Sequence, residues 1–166
     1  MKKKQVLILD KETIAHKLRR MAYEIWERNS DERELVLVGI EKGGKILADN
    51  LTTILREISP LEIHCLSISI NKKKPLNHAI EVEENLEGRC VILVDDVINS
   101  GKTMLYSLHA ILSYDLKKLM VAVLVDRKHG RPVKKLELRS EDGRLLAPED
   151  TQLLLATAVG GGSKVL

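Results

Sequence analysis

Short, continuous apolar runs that alternate with amphipathic segments constrain this chain more than any other feature of its sequence. Three of these runs, Leu35–Ile40, Cys90–Val94 and Leu119–Val125, consist almost entirely of aliphatic residues. Apolar runs of this length without polar alternation are typical of strands buried on both faces, as in parallel sheets. The isoleucine-rich run Leu61–Ile70 predicts a further strand.

The segments between these runs carry apolar residues at helical spacing. Helices are predicted over Glu12–Arg28, near Lys45–Ile58, and from Lys102 to about Tyr114. The alternation of strand and helix predicts an α/β fold with a doubly wound, mostly parallel sheet and helices on both faces. A chain of 166 residues suits a single domain. The polar stretch 71–85 is expected to be a flexible active-site loop, and 132–166 is a divergent C-terminal segment without assignable structure.

Charge and composition limit the classes of molecule that the chain is expected to bind. The net charge is only +3, and the basic residues are bunched at Lys2–Lys4, Lys72–Lys74, Lys117–Lys118 and Lys134–Lys135. Such runs are usually solvated surface, and the alternative is an anionic partner, either a substrate phosphate or RNA. Aromatic residues make up only 2% of the chain, which disfavours base-stacking platforms for single-stranded nucleic acid.

Cysteine, histidine and hydropathy patterns point to a cytoplasmic protein without a membrane span. Cys65 and Cys90 lie inside apolar runs, as expected for reduced, buried thiols. No apolar stretch is long enough for a signal peptide or a transmembrane helix. The five histidines form no HxxxH pattern and the cysteines no CxxC pattern, so we expect no protein-bound metal.

The segment Val91–Thr103, VILVDDVINSGKT, contains the residues most suited to ligand chemistry. Asp95 and Asp96 follow a buried strand and can only accept hydrogen bonds, which suits sugar hydroxyls. Next come Asn99, Ser100 and Gly101, and a helix opens at Lys102 and Thr103. Free N–H groups and the positive dipole end at a helix start favour a phosphate. A ligand with a phosphate at one end and a ribose diol at the other fits this arrangement.

Two other interpretations of this segment are less consistent with its residues. Gly101-Lys102-Thr103 could be half of a Walker A loop, but that loop needs a glycine at the position of Asp96. Nucleoside triphosphate hydrolysis is therefore disfavoured. The two acids could also be ordinary surface or capping residues, which their place between a buried strand and a small-residue loop disfavours.

The segment resembles the phosphoribosyl pyrophosphate (PRPP) motif of type I phosphoribosyltransferases, with two acids, two apolar residues and x-Ser-Gly-Lys-Thr. Over Val6–Val133 the chain also resembles the bifunctional pyrimidine-operon attenuation regulators with uracil phosphoribosyltransferase activity. The stretches that carry this likeness are LDKETIAHKLRRMAYEIWERN, LVLVGIEKGG and VAVLVDRKHGRPV. The family is expected to form homodimers.

The resemblance implies a role for each part of the site. Asp95 and Asp96 would hold the ribose hydroxyls, and Ile98–Thr103 would surround the 5-phosphate. Glu41, Lys42 and Gly43 would form the pyrophosphate loop, and Mg²⁺ would be carried by the pyrophosphate. The loop that contains Lys72 and Lys73 would close over the reacting centre and take part in catalysis. Apart from the resemblance, Arg127 follows the last clear strand and could recognise a carbonyl group on either type of base.

The chain departs from the family pattern at three places. Glu41-Lys42-Gly43 stands where relatives usually carry Thr-Arg-Gly, and Asn71-Lys72 where they carry Tyr-Arg. No aromatic residue follows Tyr114 to stack on a base, although Leu153–Leu155 could provide apolar contact. Asn99 replaces the Asp of purine-salvage relatives, which favours uracil over hypoxanthine or guanine.

Three functions from different classes stay open on the sequence. The favoured one is a phosphoribosyltransferase that transfers ribose 5-phosphate from PRPP to a free nucleobase. The second is an RNA-binding regulator on the same fold, with a nucleotide as effector. The third is a PRPP synthetase-like or purely structural relative, although the chain is too short for a two-domain synthetase.

Overall fold

The computed structural model describes residues 11–70, 82–98, 102–126, 152–156 and 163–165. For residues 98, 125–126, 152–156 and 163–165 we describe the backbone alone. The elements in chain order are α1 (Lys11–Arg28), β1 (Glu34–Ile40), α2 (Glu41–Ile58), β2 (Glu62–Ile68), β3 (Cys90–Ile98), α3 (Lys102–Ile111), β4 (Lys118–Asp126), β5 (Gln152–Ala156) and β6 (Ser163–Val165).

The described strands form one sheet in the order β2-β1-β3-β4-β5-β6. Every neighbouring pair from β2 to β5 is parallel, and β6 alone runs antiparallel, against β5. The chain turns outward from β1 to β2 and then crosses back to β3, so the strand order reverses between β1 and β3. In open α/β sheets, ligands bind at such a switch point, beyond the carboxyl ends of the strands.

Aliphatic side chains cover both faces of the sheet. On one face, residues of α1 and α2 such as Ile25 and Leu51 pack against alternate residues of β1 and β3 such as Leu37 and Ile92. On the other face, Met104, Leu108 and Ile111 of α3 pack against the intervening strand residues. The predicted α/β architecture with helices on both faces is confirmed.

The boundaries differ from the sequence prediction in three places. Helix α2 begins at Glu41, directly after β1, whereas we expected a loop at Glu41–Gly43 and a helix only from near Lys45. Strand β3 continues through both acids to Ile98 instead of ending at Val94. The segment 132–166 contains strands β5 and β6, which were not predicted because both are short.

The predicted loop 71–85 lies mostly outside the described residues. Its described end, 82–85, is tied to the sheet by several contacts. Val82 packs on the core face shared with α3. Glu84 accepts a hydrogen bond from Arg89 at 2.7 Å. Among the described residues, no helix combines the length and the apolar character needed to cross a bilayer.

Helix α2 offers a paired test of the core. Leu51 is fully buried, whereas Ile46 in the same helix is 63% exposed. We expect Leu51→Ala to lower the free energy of unfolding by about 2–5 kcal/mol, because it removes buried surface and leaves a cavity. Ile46→Ala should change it by less than about 0.5 kcal/mol. Urea unfolding of the two variants beside the wild type checks this, and equal losses would contradict the packing of α2.

Candidate active site

The amino end of α2 lies directly against the carboxyl end of β3. A Cβ atom placed on Gly44 would lie 2.5 Å from the carbonyl oxygen of Val94. A Cβ on Gly39 would lie 2.5 Å from Cα of Lys45, where the chain turns from β1 into α2. Real Cβ atoms do not approach other heavy atoms this closely. The chain can therefore begin α2 at this place only because both positions are glycine.

Gly43 brings the two predicted halves of the site together. A Cβ on Gly43 would lie 2.2 Å from Oδ2 of Asp96. The second acid of the motif thus rests on the first turn of α2, in the segment predicted to bind pyrophosphate. Oδ1 of Asp96 accepts a hydrogen bond from the backbone N–H of Val97 at 2.9 Å, which orients the carboxylate.

Asp95 occupies a different environment from Asp96. Acids at a strand end are expected to face solvent and ligand, but Asp95 is only 7% exposed, so this expectation is wrong for Asp95. The physical reason is that β3 continues past the acids and keeps Asp95 inside the sheet. Burial raises the pKa of Asp95 to about 7, and the hydrogen bond and negative charge of Asp96 add to this rise. A buried carboxyl with a raised pKa beside a second acid is a common feature of functional sites.

Glu41 contacts the backbone of the segment that follows β2. It has a φ of 56°, an uncommon conformation for a residue other than glycine. Its carboxylate accepts a hydrogen bond from the backbone N–H of Ile70 at 2.8 Å. The Glu41 carboxylate therefore holds Ile70, in the segment after β2, through this hydrogen bond. The acidic side chain in the predicted pyrophosphate loop therefore has a partner within the fold.

The other predicted site residues fall into two groups. Lys42 is exposed on the first turn of α2, and Lys102 and Thr103 open α3 as predicted. Ile98 is the last residue of β3. The remaining ones lie outside the described residues, and their roles stay predictions: Lys72, Lys73, Asn99, Ser100, Gly101 and Arg127.

A polar group next to this site escaped the sequence analysis. The ammonium group of Lys45 donates hydrogen bonds to Asp49 and, at 3.7 Å, to Sγ of Cys65. The Cys65 thiol also donates to Asp49 at 3.3 Å. Burial raises the pKa of Cys65, so the thiol is not an activated nucleophile. The i, i+4 spacing of Lys45 and Asp49 was the only sequence signal for this group.

Residues 5–142 match the family model described as "Phosphoribosyl transferase domain". The chain belongs to this family. "Bifunctional protein PyrR" of Pelotomaculum thermopropionicum is 37% identical over 139 residues, covering 78% of this chain and 77% of that protein. "Bifunctional protein PyrR" of Listeria welshimeri is 32% identical over 139 residues, covering 76% of each chain. The predicted family is confirmed.

Solved structures support the same fold. The hypoxanthine phosphoribosyltransferase of Trypanosoma cruzi superposes with a TM-score of 0.70 at 18% identity, covering 92% of this chain and 81% of that one. A hypoxanthine-guanine phosphoribosyltransferase of Bacillus anthracis gives a TM-score of 0.66 at 21% identity, covering 89% and 77%. At this identity the likeness is evidence for the fold alone.

Gly43 and Gly88 provide a matched pair of glycine substitutions. Gly43→Ala forces the movable Asp96 carboxylate aside. We expect PRPP affinity to fall by about tenfold or more, equivalent to about 1.4 kcal/mol, with little loss of stability. Gly88 has a φ of +68° and open space around its Cβ position. Gly88→Ala should cost about 1 kcal/mol of stability and leave PRPP affinity unchanged. Calorimetry with PRPP and urea unfolding separate these effects, and reversed behaviour would contradict the geometry at Gly43.

The raised pKa of Asp95 predicts a pH-dependent stability. Between the ordinary pKa of 3.8 and about 7, the folded protein binds more protons at Asp95 than the unfolded chain. The contribution of Asp95 is therefore complete below the ordinary pKa and is lost as the pH rises through 7. We expect Asp95→Asn to gain stability relative to the wild type between pH 5 and pH 8 in urea unfolding. Asp115→Asn, at an exposed site, is the control, and a gain of equal size there would refute the assignment.

Proposed function

We propose that this member of the phosphoribosyltransferase family transfers ribose 5-phosphate from PRPP to a nucleobase, with uracil favoured, and releases pyrophosphate. The observation that carries the proposal is the contact between Asp96 and Gly43. It places a pair of acids beside the start of a helix at the switch point of the sheet. The two acids suit a sugar diol, and the adjoining start of α2 suits an anion.

The charges of the site fit the parts of PRPP. The ribose 2- and 3-hydroxyls would donate to Asp95 and Asp96. The first turn of α2 would bind the pyrophosphate through free backbone N–H groups, with Lys42 adding positive charge. The start of α3 at Lys102 and Thr103 would bind the 5-phosphate. Helix starts bind both anions, and carboxylates bind only the neutral sugar between them.

The reaction in this proposal is a displacement at C1 of the ribose. The base nitrogen donates its electron pair to C1, and the bond from C1 to the pyrophosphate oxygen breaks with its electrons leaving on pyrophosphate. The residues of the chain orient the sugar and stabilise the leaving group rather than form covalent bonds. Carboxylate oxygens such as those of Asp95 and Asp96 are ligands that a hard cation prefers, and Mg²⁺ carried by the pyrophosphate would neutralise part of its charge.

Uracil is favoured over purines on two grounds. The sequence relatives that we report carry the name PyrR at 32–37% identity, whereas the hypoxanthine enzymes share only the fold. Asn99 also lacks the basicity of the Asp found in purine-salvage relatives, so it cannot take a proton from a purine. A homodimer, as in the family, remains part of the proposal.

RNA binding is a second candidate function. The relatives are named "Bifunctional protein PyrR", which supports a second activity in them. Of the predicted basic clusters, the structure describes Lys117 and Lys118. Lys117 pairs with Glu32 at 2.8 Å, and Lys118 donates to the carbonyl oxygen of Arg28. Both lysines thus form contacts within the fold, which weakens the argument that RNA binds to this surface.

A base panel tests the proposed function. We expect pyrophosphate release from PRPP and Mg²⁺ to be faster with uracil than with hypoxanthine by about 10² or more, because no acid stands at position 99. Release of pyrophosphate and formation of the nucleotide are measured together.

The double variant Asp95→Asn/Asp96→Asn is the control, and it should lose PRPP binding while remaining folded. A hypoxanthine rate equal to that of uracil would overturn the choice of base. If neither base reacts although PRPP binds, the regulatory function is favoured.

A further inference from the structure

A second polar cluster lies at the opposite end of the sheet from the two acids. Glu34 and Glu62 begin the neighbouring parallel strands β1 and β2 and are paired in register, and His64 lies two residues further along β2. Glu34 precedes the level of Asp95 by six residues of strand, or roughly 20 Å at about 3.3 Å per residue. The cluster is therefore separate from the proposed active site.

The donor atoms of this cluster have the spacing of metal ligands. Nε2 of His64 lies 3.2 Å from Oε1 of Glu62 and 3.5 Å from Oε2 of Glu34. One donor atom from each of the three residues lies within 4.8 Å of the others. A tetrahedral zinc ion with bonds of about 2.0–2.1 Å has donors roughly 3.3 Å apart. The two distances from the imidazole match this separation without any movement of the backbone.

The two ring nitrogens of His64 have different partners. Its Nε2 atom is buried and, although it lies within ion-pair distance of both glutamates, it makes no hydrogen bond of good geometry to the described residues. Its other ring nitrogen, Nδ1, lies 3.5 Å from Oε2 of Glu84. A carboxylate beside the second ring nitrogen is the usual partner of a metal-binding histidine, because it fixes the ring and directs the free electron pair at the metal. The imidazole therefore presents Nε2 to the two glutamates in the orientation that a metal ion needs.

The charge of the cluster also favours a divalent cation. Arg89 donates to Oε1 of Glu34 at 3.0 Å and to Oε2 of Glu84 at 2.7 Å. Three carboxylates and one guanidinium leave an excess of negative charge when the histidine is neutral. Glu62 is exposed, with 73% of its side chain accessible, so water can complete the coordination.

We propose that Glu34, Glu62 and His64 bind a divalent transition-metal ion of the zinc type, with Glu84 orienting the histidine. The ion would join the edge strand β2 to β1 and, through Glu84, to the segment before β3. A nitrogen donor favours zinc over Mg²⁺, which prefers oxygen ligands. Histidine and cysteine spacing does not signal this site, because its ligands come from two strands.

Zinc titration of the full chain tests the proposal. We expect calorimetry with ZnCl₂, in millimolar Mg²⁺ to fill oxygen-only sites, to show a site that weakens by more than about 100-fold in His64→Gln. Glu84→Gln should weaken it by about 10-fold or more, since it removes only the orienting group. Saturating zinc should also raise the melting temperature of the wild type but not of His64→Gln.

His16→Gln is the matched control, because His16 lies 3.9 Å from Glu12 on an exposed helix surface. It should bind zinc like the wild type. Glu62→Gln provides a second, exposed ligand variant if His64→Gln fails to fold. Equal zinc affinity in the wild type and both ligand variants would overturn the proposal, as would displacement of zinc by equimolar Mg²⁺. None of these outcomes depends on the proposed transferase activity.

Discussion

Helix α2 can begin against the end of β3 only because the residues at the contact are glycines, which have no Cβ atom. Gly44 admits the carbonyl oxygen of Val94, and Gly43 admits the carboxylate of Asp96. Any larger residue would push the start of the helix away from the strand. The position of the helix dipole relative to the acids, and hence the electrostatics of the site, depends on this approach.

The sequence predicted the elements well because their signal is local. The apolar runs of β1, β3 and β4 and the helical stripe of α1 each contain their own periodicity. The predicted start of α2 was wrong because glycines usually indicate a loop. Here the glycines permit close packing instead. Strands β5 and β6 were missed because five and three residues carry little periodic signal. Their place in the sheet depends on pairing with β4 and with each other.

The sequence indicated candidate site residues, but it could not indicate the environment of each one. Neighbouring acids at a strand end indicate a ligand, but sequence spacing does not tell how far the strand continues. Because β3 extends to Ile98, Asp95 is buried while Asp96 reaches α2. The contact of Glu41 with Ile70 joins residues 29 positions apart, so no local pattern reports it. The cluster around His64 likewise depends on strand register.

The burial of Asp95 makes the protein less stable at neutral pH than it could be. An asparagine there would avoid the cost of an ionised carboxylate that lacks full solvation. Under the proposed function, the ribose hydroxyls would donate to this carboxylate and replace part of the solvation that burial removes. Binding would then favour the ionised form, whereas the free protein favours the protonated one. A group that weakens the fold and is stabilised by its ligand is expected where selection has acted on function rather than on stability.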